Sequence, residues 1–317
     1  MSKVSEYLKN IFLVILLIQF VPPVVKHLKK EYLNTFAPGN RVACVSIKEV
    51  ICSSSYAAYY LKTYFKDPSI KAIILRIDSP GGAAGSSEAI AHELVGLKKL
   101  YPKPIISLTE NVCASGAYYV AATTDYIIAA PSTLVGSIGA IIPYQFRFKD
   151  FLAQYHIGYE SIKAGTYKNI TDPFAEHPAD HTKFLEQLAQ SSYENFVHHV
   201  IKNRPALKTT DQEAWAQGKI FTGNQALDLG LIDAVGSWSD AEVKIKILAG
   251  ISDQEKIEWV SPVRHISWWN LLKNDDSDGY DPSSPQDTSL AFACLKTFFE
   301  FIESRYCLRA NPQAIHF

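Results

Sequence analysis

Pro104-Ile-Ile-Ser-Leu-Thr109 and, after Glu110, Asn111-Val-Cys-Ala-Ser-Gly-Ala-Tyr-Tyr-Val-Ala-Ala122 form an apolar strand pattern that runs into a small-residue segment of helical character. Ser115 falls at the junction. Gly116 lets another backbone approach closely, and the helix start presents unpaired N–H groups toward negative charge. An attacking hydroxyl and half of an oxyanion hole are built in this way, although ordinary turn or N-cap chemistry produces the same dipeptide.

Working outward, strand-like runs at 42–47, 72–77, 105–109 and 126–129 are separated by helical patterns near 56–65, 85–100 and 116–122. Such alternation predicts βαβ units, an α/β fold with a mainly parallel sheet covered by helices. Upstream, Ile73-Ile-Leu-Arg-Ile-Asp-Ser-Pro-Gly-Gly82 is an apolar strand that ends in a Pro-Gly-Gly turn before a helix. The turn lacks both Gly-x-Gly-x-x-Gly and Gly-Lys-Ser/Thr, so it is not a phosphate loop. Beside the serine turn, its flexible backbone would offer an N–H to an oxyanion. Downstream, Lys163-Ala-Gly-Thr-Tyr-Lys-Asn-Ile-Thr-Asp-Pro-Phe174 places Lys168 53 residues after Ser115. Beyond it the helical patterns are 181–204, long and amphipathic, and 210–217, short.

In this order and spacing, these stretches resemble the signal peptide peptidase A (protease IV) family, serine peptidase family S49. Pro131-Ser-Thr-Leu-Val-Gly-Ser-Ile-Gly139 and Ala226-Leu-Asp-Leu-Gly-Leu-Ile-Asp-Ala-Val-Gly236 extend the match, which covers about 42–238. The Ser-Pro-Gly-Gly turn is also similar to that of the related Clp protease and crotonase folds. The resemblance implies Ser115 as nucleophile, Lys168 as general base, Gly82 and Gly116 as oxyanion donors, and Ser137 as the hydroxyl that holds the lysine amine; Ser137 also reads as a plain turn residue. It further implies signal peptides and hydrophobic segments as substrates, the cell inner membrane as location, and an extracytoplasmic catalytic domain. Related folds form rings, so a homo-oligomer is expected. Where the family usually carries Gly-Arg, this chain has Gly218-Lys219, which keeps the charge but loses the planar fork.

A serine hydroxyl is a poor nucleophile until a base takes its proton, and no histidine falls in a recognisable triad motif. An unperturbed lysine, with a pKa of about 10.4, is neutral only about four times in ten thousand at pH 7. A Ser-Lys mechanism therefore demands a desolvated lysine. The competing readings are a catalytically idle scaffold, which would need neither Ser115 nor Lys168, and a crotonase-like acyl-CoA enzyme, whose oxyanion turn is similar but whose chemistry uses neither residue.

The 317 residues, 47% hydrophobic with a net charge of −1, suffice for one large domain or two small ones and give no electrostatic case for nucleic acid. Five cysteines without Cys-x-x-Cys spacing indicate neither a disulfide framework nor a zinc site; Cys113 reads as a small buried residue. His92-Glu93 does not continue into a metalloprotease helix, Asn274-x-Asp276-x-Asp278-Gly279 has Pro285 where a calcium loop needs Glu, and His198-His199 reads as a solvated pair. No metal or cofactor is expected.

At the N-terminus, the apolar run 11–25 has 15 residues, fewer than the roughly 20 that span a bilayer as a helix. It reads as a signal-peptide core, an interfacial helix, a short anchor or, on length alone, a buried helix of the domain. Lys26, Lys29 and Lys30 follow it where a small-residue cleavage site would stand, which favours an uncleaved membrane-anchoring helix; the flanking lysines balance, so charge does not give the orientation. The expected organisation is an anchor and connector at 1–40, a peptidase domain at 41–262, and a linker with a helical tail at 263–317. In the tail, 274–287 has linker composition, while 289–306 and Trp268-Trp269 are apolar or aromatic.

Overall fold

The computed structural model describes residues 39–142, 146–209 and 211–262, together with Val21, Pro22, Val24, Val25 and Leu28. Two units are delimited, Met1–Arg264 and His265–Phe317, and every described residue belongs to the first. Most of the expected anchor, and the whole expected tail from 263 onward, lie outside the described residues. Among the described residues no helix is long and apolar enough to cross a membrane.

The fold is α/β around a mostly parallel sheet. β1 (Arg41–Lys48), β2 (Ile70–Ser79) and β3 (Ile105–Ala114) form its centre. Their near-continuous apolar sequences follow from burial on both faces. Ala43, Val45, Leu75 and Ile77 point to the larger core, shared with α1 (Ser55–Lys66), α2 (Ala84–Leu100) and α3 (Gly116–Ala121). Val42, Ala72, Ile74, Ile106 and Leu108 point to the other face, where Ala241 and Ile245 cover them. Each fully buried Ile or Leu contributes about 1.5–3 kcal/mol.

The strand order is β6-β5-β3-β2-β1-β8, with β4 pairing β3 and β7; β4 is Tyr126–Ala129, β5 Leu134–Gly136, β6 Ile220–Phe221, β7 Ala234–Val235 and β8 Glu258–Val260. Only β5–β6 is antiparallel among these pairs. β3 changes partners along its length: Ile106 to Thr109 pair with β4, and Val112 to Ala114 pair with β5. The change is made by the chain after β4, where the Ala130 N–H bonds the Thr109 carbonyl at 3.0 Å and sends the next residues along the outer half of β3. Gly136 thereby reaches the end of β3, beside Ser115.

After β5 the chain leaves the sheet as an arm. It contains α4 (Lys149–Gln154) and returns through α5 (Ala179–Asn203), whose C-terminal half packs through Phe196, Val197 and Val200. Two short helices follow, α6 (Gln212–Trp215) and α7 (Gly223–Leu229), and α8 (Trp238–Ala249) covers the second face. The region around 226–236 is fixed by buried polar pairing. Tyr118 donates to the Leu231 carbonyl at 2.7 Å, while the Asp233 carboxylate accepts from the Ile127 N–H at 2.8 Å and from Arg204 at 2.7 Å.

Candidate active site

Ser115 caps the N-terminus of α3 with φ 53° and ψ −128°. A non-glycine residue held there stores about 1–3 kcal/mol of strain, so its surroundings must impose the conformation. Its N–H donates to the Gly136 carbonyl at 2.8 Å, and its carbonyl accepts from the Tyr119 N–H at 3.0 Å. The residue is half-buried. Gly116 is the first residue of α3, so its N–H has no partner within the helix.

The Pro-Gly-Gly turn after β2 lies directly against this junction. A Cβ on Gly81 would stand 2.7 Å from the Ser115 Cβ and 2.7 Å from the Gly116 nitrogen, so only glycine permits the approach. Gly81 has φ 98°, the left-handed region that favours glycine. Ser79 holds the turn at its entry by accepting the Gly81 N–H at 3.1 Å. Gly82 forms a parallel bridge with Ile51, in which the Ile51 N–H bonds the Gly81 carbonyl and the Ala83 N–H bonds the Ile51 carbonyl, both at 2.8 Å. In such a bridge the central residue's own N–H faces away from the partner. A Cβ on Gly116 would lie 3.5 Å from the Gly82 nitrogen, so the two glycine segments are in close contact.

Ser137 is brought to the same place, since it follows Gly136. It carries φ 51° and donates its N–H to the Lys219 carbonyl at 2.7 Å. Lys219 makes one point contact, from Nζ to the Glu213 carbonyl at 2.5 Å, consistent with the loss of a fork at this position.

Lys168 stands on the arm that follows β5. It lies exposed in a turn of the arm, its N–H bonding the Gly165 carbonyl at 3.2 Å, and no hydrogen bond joins it to Ser115 among the described residues. Around it Lys163 bonds Asn169 at 2.6 Å and Tyr167 stacks on Phe184 at 4.9 Å. The arm is otherwise open: Ile162 is 97% exposed, and Phe151, Tyr155 and Ile157 are more than half exposed. A cavity of about 540 Å³, lined by Leu152, Ile157, Phe174 and Lys163 among others, belongs to the arm and not to the Ser115 turn. That hollow is separate from the strained serine and the glycine turn packed on it.

Cys113, two residues before Ser115, is fully buried, and burial pushes its thiol up, which disfavours the thiolate. Among the described residues no group of three His, Cys, Asp or Glu side chains is placed to hold a metal ion. The reading of His198-His199 as a solvated pair needs correction. His198 is exposed, but His199 is half-buried, stacked on Tyr119 at 3.6 Å and 8°, with Nε2 2.9 Å from the Tyr119 carbonyl oxygen. Ser87 was also missed: it is buried beside Gly116, and its only sequence signal is its place one turn after the Gly-Gly pair.

Residues 98–252 match the family model described as Peptidase family S49. A putative protease of Methanocaldococcus jannaschii is 35% identical over 206 residues, covering 64% of this chain and 65% of that one. A putative signal peptide peptidase of Enterococcus faecium is 32% identical over 271 residues, 78% of each chain. A chloroplastic serine protease of Arabidopsis thaliana is 34% identical over 192 residues, covering 60% of this chain and 28% of that protein.

Proposed function

The chain belongs to peptidase family S49, and from that premise we propose that it is a membrane-anchored serine endopeptidase of the Clp/crotonase superfold, with Ser115 as nucleophile and Lys168 as general base. The observation that carries this reading is the packing of the Pro80-Gly81-Gly82 turn on a strained Ser115, which supports the Gly82 and Gly116 N–H groups as the oxyanion donors. In the reaction, neutral Lys168 takes the Ser115 proton as Oγ attacks the scissile carbonyl carbon. The resulting oxyanion is held by Gly82 and Gly116, a contribution of about 3–4 kcal/mol per donor in comparable sites. The lysine ammonium then protonates the departing amine, leaving an ester on Ser115. Water, deprotonated by Lys168, releases the acid and restores the hydroxyl. Ser137, adjacent to the Gly136 that bonds Ser115, is suited to hold the lysine amine.

A lysine acts as a base only after losing its proton, which takes desolvation. The exposure of Lys168 on an open, apolar arm supports a homo-oligomer in which the arm docks on a neighbour and its lysine serves that neighbour's serine. The peptidase domain in this reading is 41–262, preceded by an anchor at 1–40 and followed by a linker and helical tail at 263–317. The name of the Enterococcus relative and the apolar N-terminal run support cleaved signal peptides and other hydrophobic segments as substrates, with the domain outside the inner membrane.

Labelling with a fluorophosphonate tests the reading. Modification of Ser115, lost in Lys168→Ala and accompanied by peptide hydrolysis, is the expected result. Absence of labelling together with turnover of an acyl-CoA thioester would replace it with the crotonase-like chemistry.

A further inference from the structure

The two candidate oxyanion donors belong to separate segments, the turn after β2 and the start of α3. An oxyanion hole works only if the donors stand about 2.7–3.1 Å from one developing charge, so something must fix the gap between these segments. One side chain touches both. Ser87, on the first turn of α2, is 1% exposed. Its hydroxyl donates to the Ala83 carbonyl at 3.1 Å, the same carbonyl that accepts its N–H. Ala83 is the residue after Gly82, and its own N–H is fixed to Ile51. On its other side, Ser87 is packed so closely on Gly116 that a Cβ there would lie 2.2 Å from Oγ and 3.0 Å from the Ser87 Cβ.

We propose that Ser87 is a positioning residue that sets the separation of the Gly82 and Gly116 donors, acting as a spacer bonded to one segment and in contact with the other. The inference rests on the peptidase reading and adds to it a residue that touches neither substrate nor the reacting atoms. Ser79 supports the same frame from the entry side of the turn, where it accepts the Gly81 N–H. The bland role for Ser87, a hydroxyl bonded back to the carbonyl four residues earlier, accounts for its bond but not for its contact with Gly116.

Ser87→Ala removes the spacer without adding bulk or charge. For the full chain hydrolysing a peptide substrate, the expected result is a kcat lowered three- to tenfold with KM unchanged. Affinity for a peptidyl boronate, which mimics the tetrahedral state, should fall by the same factor, and Ser87→Cys, similar in size, should recover part of the loss. Urea unfolding of the variants should stay close to that of the parent chain. The inference is overturned if Ser87→Ala keeps kcat within twofold, or if kcat falls only in proportion to lost folded protein. If the parent chain itself neither hydrolyses peptides nor binds the boronate, the peptidase reading fails and takes this inference with it. Normal parent activity matched by Ser87→Ala would remove this inference alone.

Discussion

Replacing Gly116 by alanine separates the architecture of the serine turn from its chemistry. Gly116 is helical and not in the positive-φ region, so the substitution meets no backbone strain and its whole effect comes from the added Cβ. That carbon would sit 2.2 Å from the Ser87 hydroxyl oxygen, a separation no real contact allows. Rotating the hydroxyl away would forfeit its bond to Ala83, about 0.5–1.5 kcal/mol, and would still leave the Ser87 Cβ at 3.0 Å. Overpacking of this kind costs about 1–3 kcal/mol. The rate should suffer more, because the methyl also stands 3.5 Å from the nitrogen of Gly82, the proposed oxyanion donor; loss of one donor lowers kcat roughly 10²–10³-fold. Urea unfolding and hydrolysis of a fluorogenic peptide, measured on Gly116→Ala and on Gly116→Ala with Ser87→Ala, resolve the two effects. The double variant removes the 2.2 Å contact with the hydroxyl but keeps the Ser87 Cβ at 3.0 Å, so it should regain part of the lost stability but little of the rate. A Gly116→Ala chain with parental stability and kcat would refute the packing described here.

Lys168→Arg should fold normally, since the residue is exposed, yet be nearly inactive, because guanidinium does not give up its proton; comparable thermal melts with absent hydrolysis are the expected pair of results. His199 should make stability depend on pH. Burial, helped by the charges of Lys202, His92 and His198 and opposed by the bond to the Tyr119 carbonyl, pushes it down from 6.5 to about 4. The unfolded chain therefore binds the extra proton between those values, so the contribution is complete above pH 6.5 and lost as pH falls toward 4. The loss is roughly 2–3 kcal/mol after allowance for partial solvent contact. Urea titrations at pH 7 and pH 4 should show that difference in the parent chain and not in His199→Gln. Deleting residues 1–30 should leave a folded domain that cleaves short soluble peptides, because β1 starts at Arg41 and the described helical residues before it, such as Val24 and Leu28, are exposed. Loss of folding on that deletion would make the N-terminal run part of the core.

The central strands were legible because burial on both faces leaves short apolar runs such as Ala72 to Leu75, as a covered parallel sheet requires. The Gly-Gly turn and the Ser-Gly junction were legible for a local reason: close backbone approach excludes side chains. The extension of β3 through Asn111 to Ala114 was not, since its change of partner from β4 to β5 depends on the path of a later loop. α8 was overlooked although Ser237 and Asp240 form a capping box at its start, a signal present in the sequence. The conformation of Ser115 is imposed by its bond to Gly136, and serine carries no intrinsic mark of positive φ. His199 escaped because the face that it turns inward is set by Tyr119, distant in sequence. The place of Lys168 relative to Ser115 was not legible either, because the 53 residues between them fix no distance.

In the proposed mechanism, Lys168 of one chain serves the Ser115 turn of a neighbour. Inactive Ser115→Ala and Lys168→Ala chains, mixed under conditions in which subunit exchange is demonstrated by a label, test both halves at once. The account requires hydrolysis to reappear in the mixture, because some interfaces then pair an intact serine turn with an intact Lys168 arm. A mixture that exchanges subunits and stays inactive would contradict it, and would return Lys168 to the serine of its own chain.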